Sequence, residues 1–238
     1  HLIPSLVRGG GGGVKLPDEI APNNKYLGFM LPYTPLHYLL FYKPLTLNYS
    51  SLTPHFSALV MTSGNISEEP IVIDNEEAVS KLSFADAFLL HNRDIFMRVD
   101  DSVVKGRDEL CVISNEHNID MSFTDNTSRI THYAFIRRAR GFVPERIKLR
   151  DDGPDVLACG PDIKNTFTIT KGNYAIISQH IGDMENIETL NFFEETLNNL
   201  KQVYRANPVA IAYDLHPNYM STKWALNQIE NSKIKSFG

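Results

Sequence analysis

Cysteine is nearly absent: Cys111 and Cys159 are the two in 238 residues. They lie far apart and match no metal-ligand spacing, which excludes a disulfide scaffold and a zinc knuckle. Reduced thiols in a cytoplasmic protein are the expectation. No apolar run approaches the roughly 18 residues of a membrane span, and no signal-type apolar segment stands near the N-terminus, so neither membrane insertion nor secretion is expected. Excess positive charge is lacking too. With 23 Lys and Arg against 28 Asp and Glu the formal charge is −5, which argues against general nucleic-acid binding, since that depends on clustered cations. What is present is a 42% apolar fraction and a mean hydropathy of −0.21, the values of a globular protein. The length suits one large or two modest domains. The chain starts at His1 rather than methionine and stops at Lys233–Gly238 as though beginning a strand, so it is expected to be cut at both ends.

The sequence is organised around Ser57–Lys105. Ala58-Leu59-Val60-Met61 is an uninterrupted apolar run that predicts a strand covered on both faces. Thr62, Ser63, Gly64 and Asn65 follow it. In α/β sheets ligands sit at such carboxyl ends, where loops offer free N–H groups and short side chains; the same residues are also ordinary turn formers. A helix over Glu76–Leu82 and a strand over Phe84–Leu90 come next. Arg93, Arg98, Asp100 and Asp101 then crowd around Ile95, Phe96 and Val99, with Ser102 directly after. Arginines held near apolar backbone suit phosphate or carboxylate, because the guanidinium fork binds such groups bidentately. The aspartates can hold Mg²⁺ through water or neutralise the arginines. Further on, Arg137, Arg138 and Arg140 stand beside Gly141, able to close over a polyphosphate or to form a surface patch. Together these point to a site for a phosphorylated small molecule.

Elsewhere, Gly9–Gly13 reads as a linker rather than a phosphate loop, for want of a lysine at set spacing. Tyr26–Leu31 predicts a strand ended by Pro32, then a helix opened by Thr34 as cap and Pro35 at its first position. Leu36, Leu39 and Leu40 would be the buried stripe of that helix, with His37 a neutral packed residue. Glu109–Ser114 reads as a strand and Asn115–Ser128 as a loop. Lys148–Pro154 is a break in composition, dividing the chain into residues 1–150 and 151–238. Strands are then expected at Val156–Gly160, Thr166–Thr170, Tyr174–Ile177 and Val209–Tyr213. Helices are expected over Leu190–Tyr204 and Ser221–Asn231, the latter capped by Ser221. Three strands, helix, strand, helix is the opening of an actin-like (ribonuclease-H-like) ATPase lobe. Lys164, Asn165, His180, Asp183, Asp214 and His216 fall at its strand ends as a second polar site. They read either as polar caps or as carboxylate–histidine pairs, at no recognised metal spacing.

Several segments taken together resemble one family. Met61–Ser67 with Pro70-Ile71, His91–Ile95, Arg98–Val104, Met30–His37 and Arg137–Pro144 are similar to the YrdC-like part of HypF proteins. Leu157–Gly160 with Lys164-Asn165-Thr166, Ser178–Asp183 and Asp214–Thr222 resemble the start of their TsaD-like domain. The resemblance covers nearly the whole chain from Leu16, with the motifs in order. It implies an α/β fold class: a YrdC-like twisted mixed α/β domain (1–150, its first part missing), followed by the first lobe of an actin-like ATPase domain (151–238). It implies an ATP-dependent carbamoyltransferase of [NiFe]-hydrogenase maturation. That enzyme forms carbamoyl-adenylate from carbamoyl phosphate-derived carbamate and passes the carbamoyl group to the C-terminal cysteine of a HypE-type partner, without nucleic acid or membrane.

Carried over by motif, Thr62, Ser63 and Asn65 would contact nucleotide. Ser102 would meet phosphate beside Asp101, and Arg98, Arg137, Arg138 and Arg140 would offset triphosphate charge. ATP and Mg²⁺ are the implied cofactors, with zinc confined to family regions outside this chain. The chain departs from the family at Ser67-Glu68-Glu69-Pro70, where Ser-Gly-Glu-Pro is usual. The family's acylphosphatase and zinc-finger regions and the first part of its YrdC-like domain, with a Lys/Arg-rich nucleotide motif, are missing, and a TsaD-like metal-binding histidine pair would begin past Gly238, so inactivity in isolation is expected. The competing readings are a threonylcarbamoyl-adenylate synthase of tRNA modification, which does not continue into the second domain, and a non-catalytic nucleotide-binding or docking module.

Overall fold

The structure, a computed structural model, describes residues 18–24, 26–41, 58–106, 133–231 and 235–237. Two compact units are present, His1–Thr62 and Ser63–Gly238. The glycine run, the Glu109–Ser114 strand and the Asn115–Ser128 loop lie outside the described residues, as does Cys111.

In the first unit, helix α1 (Pro35–Phe41) begins where the threonine–proline pair places it, and Thr34 Oγ1 accepts the His37 N–H at 3.2 Å. The expected buried stripe does not form: Leu36, Leu39 and Leu40 are all exposed, and α1 buries no residue. His37 packs edge-on against Tyr33. Neither Tyr26–Leu31 nor Ala58–Met61 is a strand. An apolar run becomes a strand only when a neighbouring chain pairs with it, and among the described residues none does.

The second unit opens with α2 (Asn75–Lys81). Asp74 caps it, accepting the N–H groups of Glu76 and Glu77. Acids in its first turn and Lys81 in its last complement the helix dipole. Phe84–Leu90 is unpaired rather than a strand, and Phe84 and Leu89 are exposed. Strands β1 (Val103–Gly106) and β2 (Tyr133–Arg137) pair antiparallel as a separate ribbon.

The remainder is a five-stranded sheet with two helices: β3 (Arg146–Gly153), β4 (Val156–Ala158), β5 (Thr168–Ile177), α3 (Ile187–Tyr204), β6 (Ala210–Ala212), α4 (Met220–Asn231) and β7 (Lys235–Phe237). Its order is β3-β5-β4-β6-β7. The first three strands are antiparallel neighbours, and β4, β6 and β7 run parallel. This is the expected mixed α/β lobe, with differences in detail. The composition break at Lys148–Pro154 falls largely on an edge strand, β3. The two strands expected at Thr166–Thr170 and Tyr174–Ile177 are one: Gly172 takes φ +57° in its middle, and the strand changes partner from β4 to β3 instead of turning.

One hydrophobic cluster fills this sheet and its helices. Leu157, Phe167, Ile169 and Ile211 meet Phe192, Phe193, Leu197 and Leu200 of α3 and Ala225 of α4. The α3 stripe appears at the spacing that the sequence shows. Phe193 stacks edge-on with both Phe167 and Trp224. Cys159 is buried in the same cluster, and burial pushes its thiol up to about 12, which leaves it inert rather than nucleophilic.

Candidate functional site

The turn Ser63–Val72 is built by its own side chains. Ser63 Oγ donates to Asn65 Oδ1 at 2.5 Å. Asn65 Nδ2 donates to the carbonyls of Ile66 and Glu69, both at 2.9 Å, and the Val72 N–H closes onto Gly64 O. The tight arc puts Glu68 at φ +67°. That conformation costs a non-glycine residue about 1–2 kcal/mol.

The two charged segments meet because β1 and β2 pair, which leaves the residues flanking them side by side. Ser102 Oγ accepts the Ala139 N–H at 2.8 Å and donates to Arg140 O at 2.9 Å, and the Arg140 N–H reaches Asp100 O at 3.1 Å. Arg137 stands 3.7 Å from Asp100, and Arg140 3.4 Å from Asp101.

The loops after β4 and β5 supply the opposite wall. Gly160, at φ +71°, admits no side chain, since a Cβ there would lie 2.2 Å from Thr166 O. The loop then runs to Lys164, whose N–H and Nζ both bond the Asp183 carboxylate at 2.6 and 3.0 Å. Those two bonds, backbone first, hold Asp183 below the usual carboxylate range. Asn165 is fully buried and ties Cys159 O to Pro161 O through its amide. His180 is half-buried, and its imidazole is held below its ordinary 6.5, by burial first and the Arg137 charge second. It is therefore neutral at pH 7.

These parts enclose a cleft of about 200 Å³. Of the residues singled out in the sequence, Ser63, Asn65, Arg98, Asp100, Arg137, Lys164, His180 and Asp183 line it. Ser102, Arg138, Arg140, Asp101 and Asn165 lie outside the lining, and Ser102 and Asn165 act as internal fasteners. Arg138 turns to Glu145. Thr62 falls in the first unit. Asp214 and His216 are exposed in the loop after β6, where Asp214 accepts the His216 N–H and His216 stacks on Tyr219.

Each cation of the cleft already has a carboxylate: Arg98 with Glu195, Arg137 with Asp100, Lys164 with Asp183. An anion would therefore bind by sharing or displacing these partners. Glu68, at the departure noted in the sequence, also lines the cleft; sequence reading missed Asp162. The Asp162 carboxylate accepts the Met220 and Ser221 N–H groups and caps α4, so Ser221 lies inside the helix instead of capping it.

Comparison with known proteins matches both halves. A family model described as "HypF Kae1-like domain" fits residues 151–236, and one described as "Telomere recombination", of the Sua5/YciO/YrdC type, fits residues 6–115. The chain is 43% identical over 211 residues to carbamoyltransferase HypF2 of Cupriavidus necator, covering 87% of this chain and 24% of that protein. The crystal structure of T. kodakarensis HypF superposes with a TM-score of 0.74 at 35% identity, over 94% of this chain and 25% of that one. A crystal structure of full-length HypF in a phosphate- and nucleotide-bound form gives 0.60 at 39% identity, over 74% and 24% respectively. The chain thus spans about a quarter of the length of the relatives it matches.

Proposed function

Since this chain belongs to the HypF family, we propose that it carries the cleft in which such a protein handles an activated carbamoyl group. In this reading residues 1–150 belong to the YrdC-like part and residues 151–238 to the TsaD-like, or Kae1-like, part. In the whole protein, an oxygen of carbamate derived from carbamoyl phosphate attacks the α-phosphorus of ATP. Pyrophosphate leaves and carbamoyl-adenylate forms. The thiolate of the C-terminal cysteine of a HypE-type protein then attacks the carbamoyl carbon, with AMP departing. The setting is the cytoplasm. Among the described residues no helix is long and apolar enough to cross a membrane.

The observation that carries this reading is the meeting, in one cleft, of the Ser63–Asn65 corner and Arg137 with Lys164, His180 and Asp183. Arg137 and Lys164 are placed to donate to anionic oxygens, where charge-assisted bonds are strongest. A neutral His180 can accept a proton or a hydrogen bond. At about 200 Å³ the cleft is smaller than the about 300–1,000 Å³ of ordinary small-molecule sites. It suits the reacting phosphoryl–carbamoyl end of the nucleotide rather than the whole molecule.

The donors do not fit a resident metal. Asp100 and Asp101 are engaged by arginines, and among the described residues no three His, Cys, Asp or Glu side chains cluster as ligands. Mg²⁺ therefore enters as part of the ATP substrate. The test is ATP–pyrophosphate exchange by the intact protein. It should require carbamoyl phosphate and fall at least about tenfold in Arg137→Ala and Lys164→Ala. Exchange that both variants support at the normal rate would refute this assignment.

A further inference from the structure

Arg98 lines the cleft, yet two nitrogens of its guanidinium are bonded to protein. Nη1 bonds the Glu195 carboxylate of α3 at 2.5 Å, and Nε donates to Ile71 O at 2.9 Å. The plane lies over the Phe192 ring, 5.9 Å from its centroid. Its own carbonyl accepts a hydrogen bond from Gln179 Nε2, and Gln179 is almost fully buried at the carboxyl end of β5. One residue therefore touches the Ser63–Val72 turn, α3 and the loop that carries His180. These are the elements whose separation sets the width of the cleft. A second tie runs parallel to it: Asn186, the cap of α3, donates to Glu68 O at 2.8 Å.

We infer that Arg98 is a positioning residue, a brace between α3 and the hydroxyl–amide turn, and not a receptor for the nucleotide's phosphates. Several features suit a brace. Arginine's planar fork serves an acceptor at Nε and another at Nη1 at once, which lysine's single ammonium does not do at fixed geometry. Its guanidinium also lies over the Phe192 ring, a cation–π arrangement that helps to hold the fork before any ligand arrives. Glu195 lies outside the cleft lining and bonds a residue within it, Arg98.

This inference rests on the nucleotide reading for its functional consequence and on geometry alone for its mechanical one, and the two can fail separately. The experiment uses the full-length protein with ATP and Mg²⁺ as probe. Titration calorimetry is combined with hydrogen exchange of the Val72 amide, which bonds Gly64 O across the turn. Glu195→Ala should speed that exchange about tenfold and weaken ATP about tenfold, although Glu195 does not face the cleft. Glu195→Gln keeps an acceptor for Nη1 and should restore most of both. Unchanged exchange at Val72 in Glu195→Ala overturns the brace whatever ATP does. So does ATP binding that tightens in Glu195→Ala, since that is what freeing a phosphate-binding arginine would give. Faster exchange in Glu195→Ala, recovered in Glu195→Gln, with no ATP bound even by the unaltered protein upholds the brace and removes the nucleotide reading.

Discussion

Residues 156–231 and residues 63–140 share one compact unit but are held by different forces. The first stretch is a sheet with two helices wrapped round a continuous apolar cluster, and Phe167 and Phe193 are fully buried in it. In the second, among the described residues, Ala139 is the one buried hydrophobic side chain, while Phe84 and Phe96 are 78% and 79% exposed. Its order comes from polar fasteners: the Asn65 amide in its turn, Lys81 between Glu69 and Glu77, Ser102 beneath Arg140, and Arg98 against α3. The cleft sits where these two kinds of construction meet. One wall is backed by a core and the other by directional bonds, so the two walls should respond to different perturbations.

The largest expected effect lies on the core side. Phe193→Ala should cost about 4 kcal/mol of unfolding free energy, transfer and cavity combined. Phe96→Ala, which removes an equal ring from an exposed place, should stay within about 0.5 kcal/mol. Urea unfolding of both variants checks the contrast, and equal losses would dissolve it. A smaller and opposite change is expected on the polar side. Glu68→Gly relieves the left-handed backbone and should stabilise by roughly 0.5–1 kcal/mol, the glycine's greater unfolded-state freedom offsetting part of the gain. A destabilised Glu68→Gly would mean that the Glu68 side chain holds the turn.

The smallest effect is pH-dependent. His180 has a folded pKa below its ordinary 6.5, so the unfolded chain takes up a proton that the folded chain refuses. Its contribution to stability is complete above pH 6.5 and is lost as pH falls through the lower folded value. Urea midpoints should drop between pH 7 and 5.5, less so in His180→Gln. An undiminished drop in that variant would assign it to other groups. Asp183, also lowered, acts in a separate window, below its ordinary 3.8.

The same contrast decides what could be read in the sequence. β4, α3, β6 and α4 were legible because one-sided burial writes a period into the chain, as Phe193, Leu197 and Leu200 do. Ala58–Met61, Phe84–Leu90 and the α1 leucines were misread for the complementary reason: an apolar run says that something should cover it, not that anything does. At the cleft, Ser63, Asn65, Arg137, Lys164, His180 and Asp183 were legible as residue types at strand and turn ends. The commitments of Arg98 and Ser102 were not. Glu195 stands 97 positions from Arg98 and Arg140 stands 38 from Ser102, and no local pattern ties a donor to so distant a partner. Asp214 and His216 looked like a site because they close a strand, but among the described residues their side chains bond and stack within their own exposed loop.

The most direct measurement is ATP affinity of the full-length protein across four single variants. Arg137→Ala and Lys164→Ala, one from each wall, should each weaken binding about tenfold. Arg140→Ala and His216→Ala, which carry similar chemistry outside the cleft, should stay within about twofold. Equal losses in all four, or losses confined to Arg140→Ala and His216→Ala, would contradict a single anion-holding cleft between the two walls.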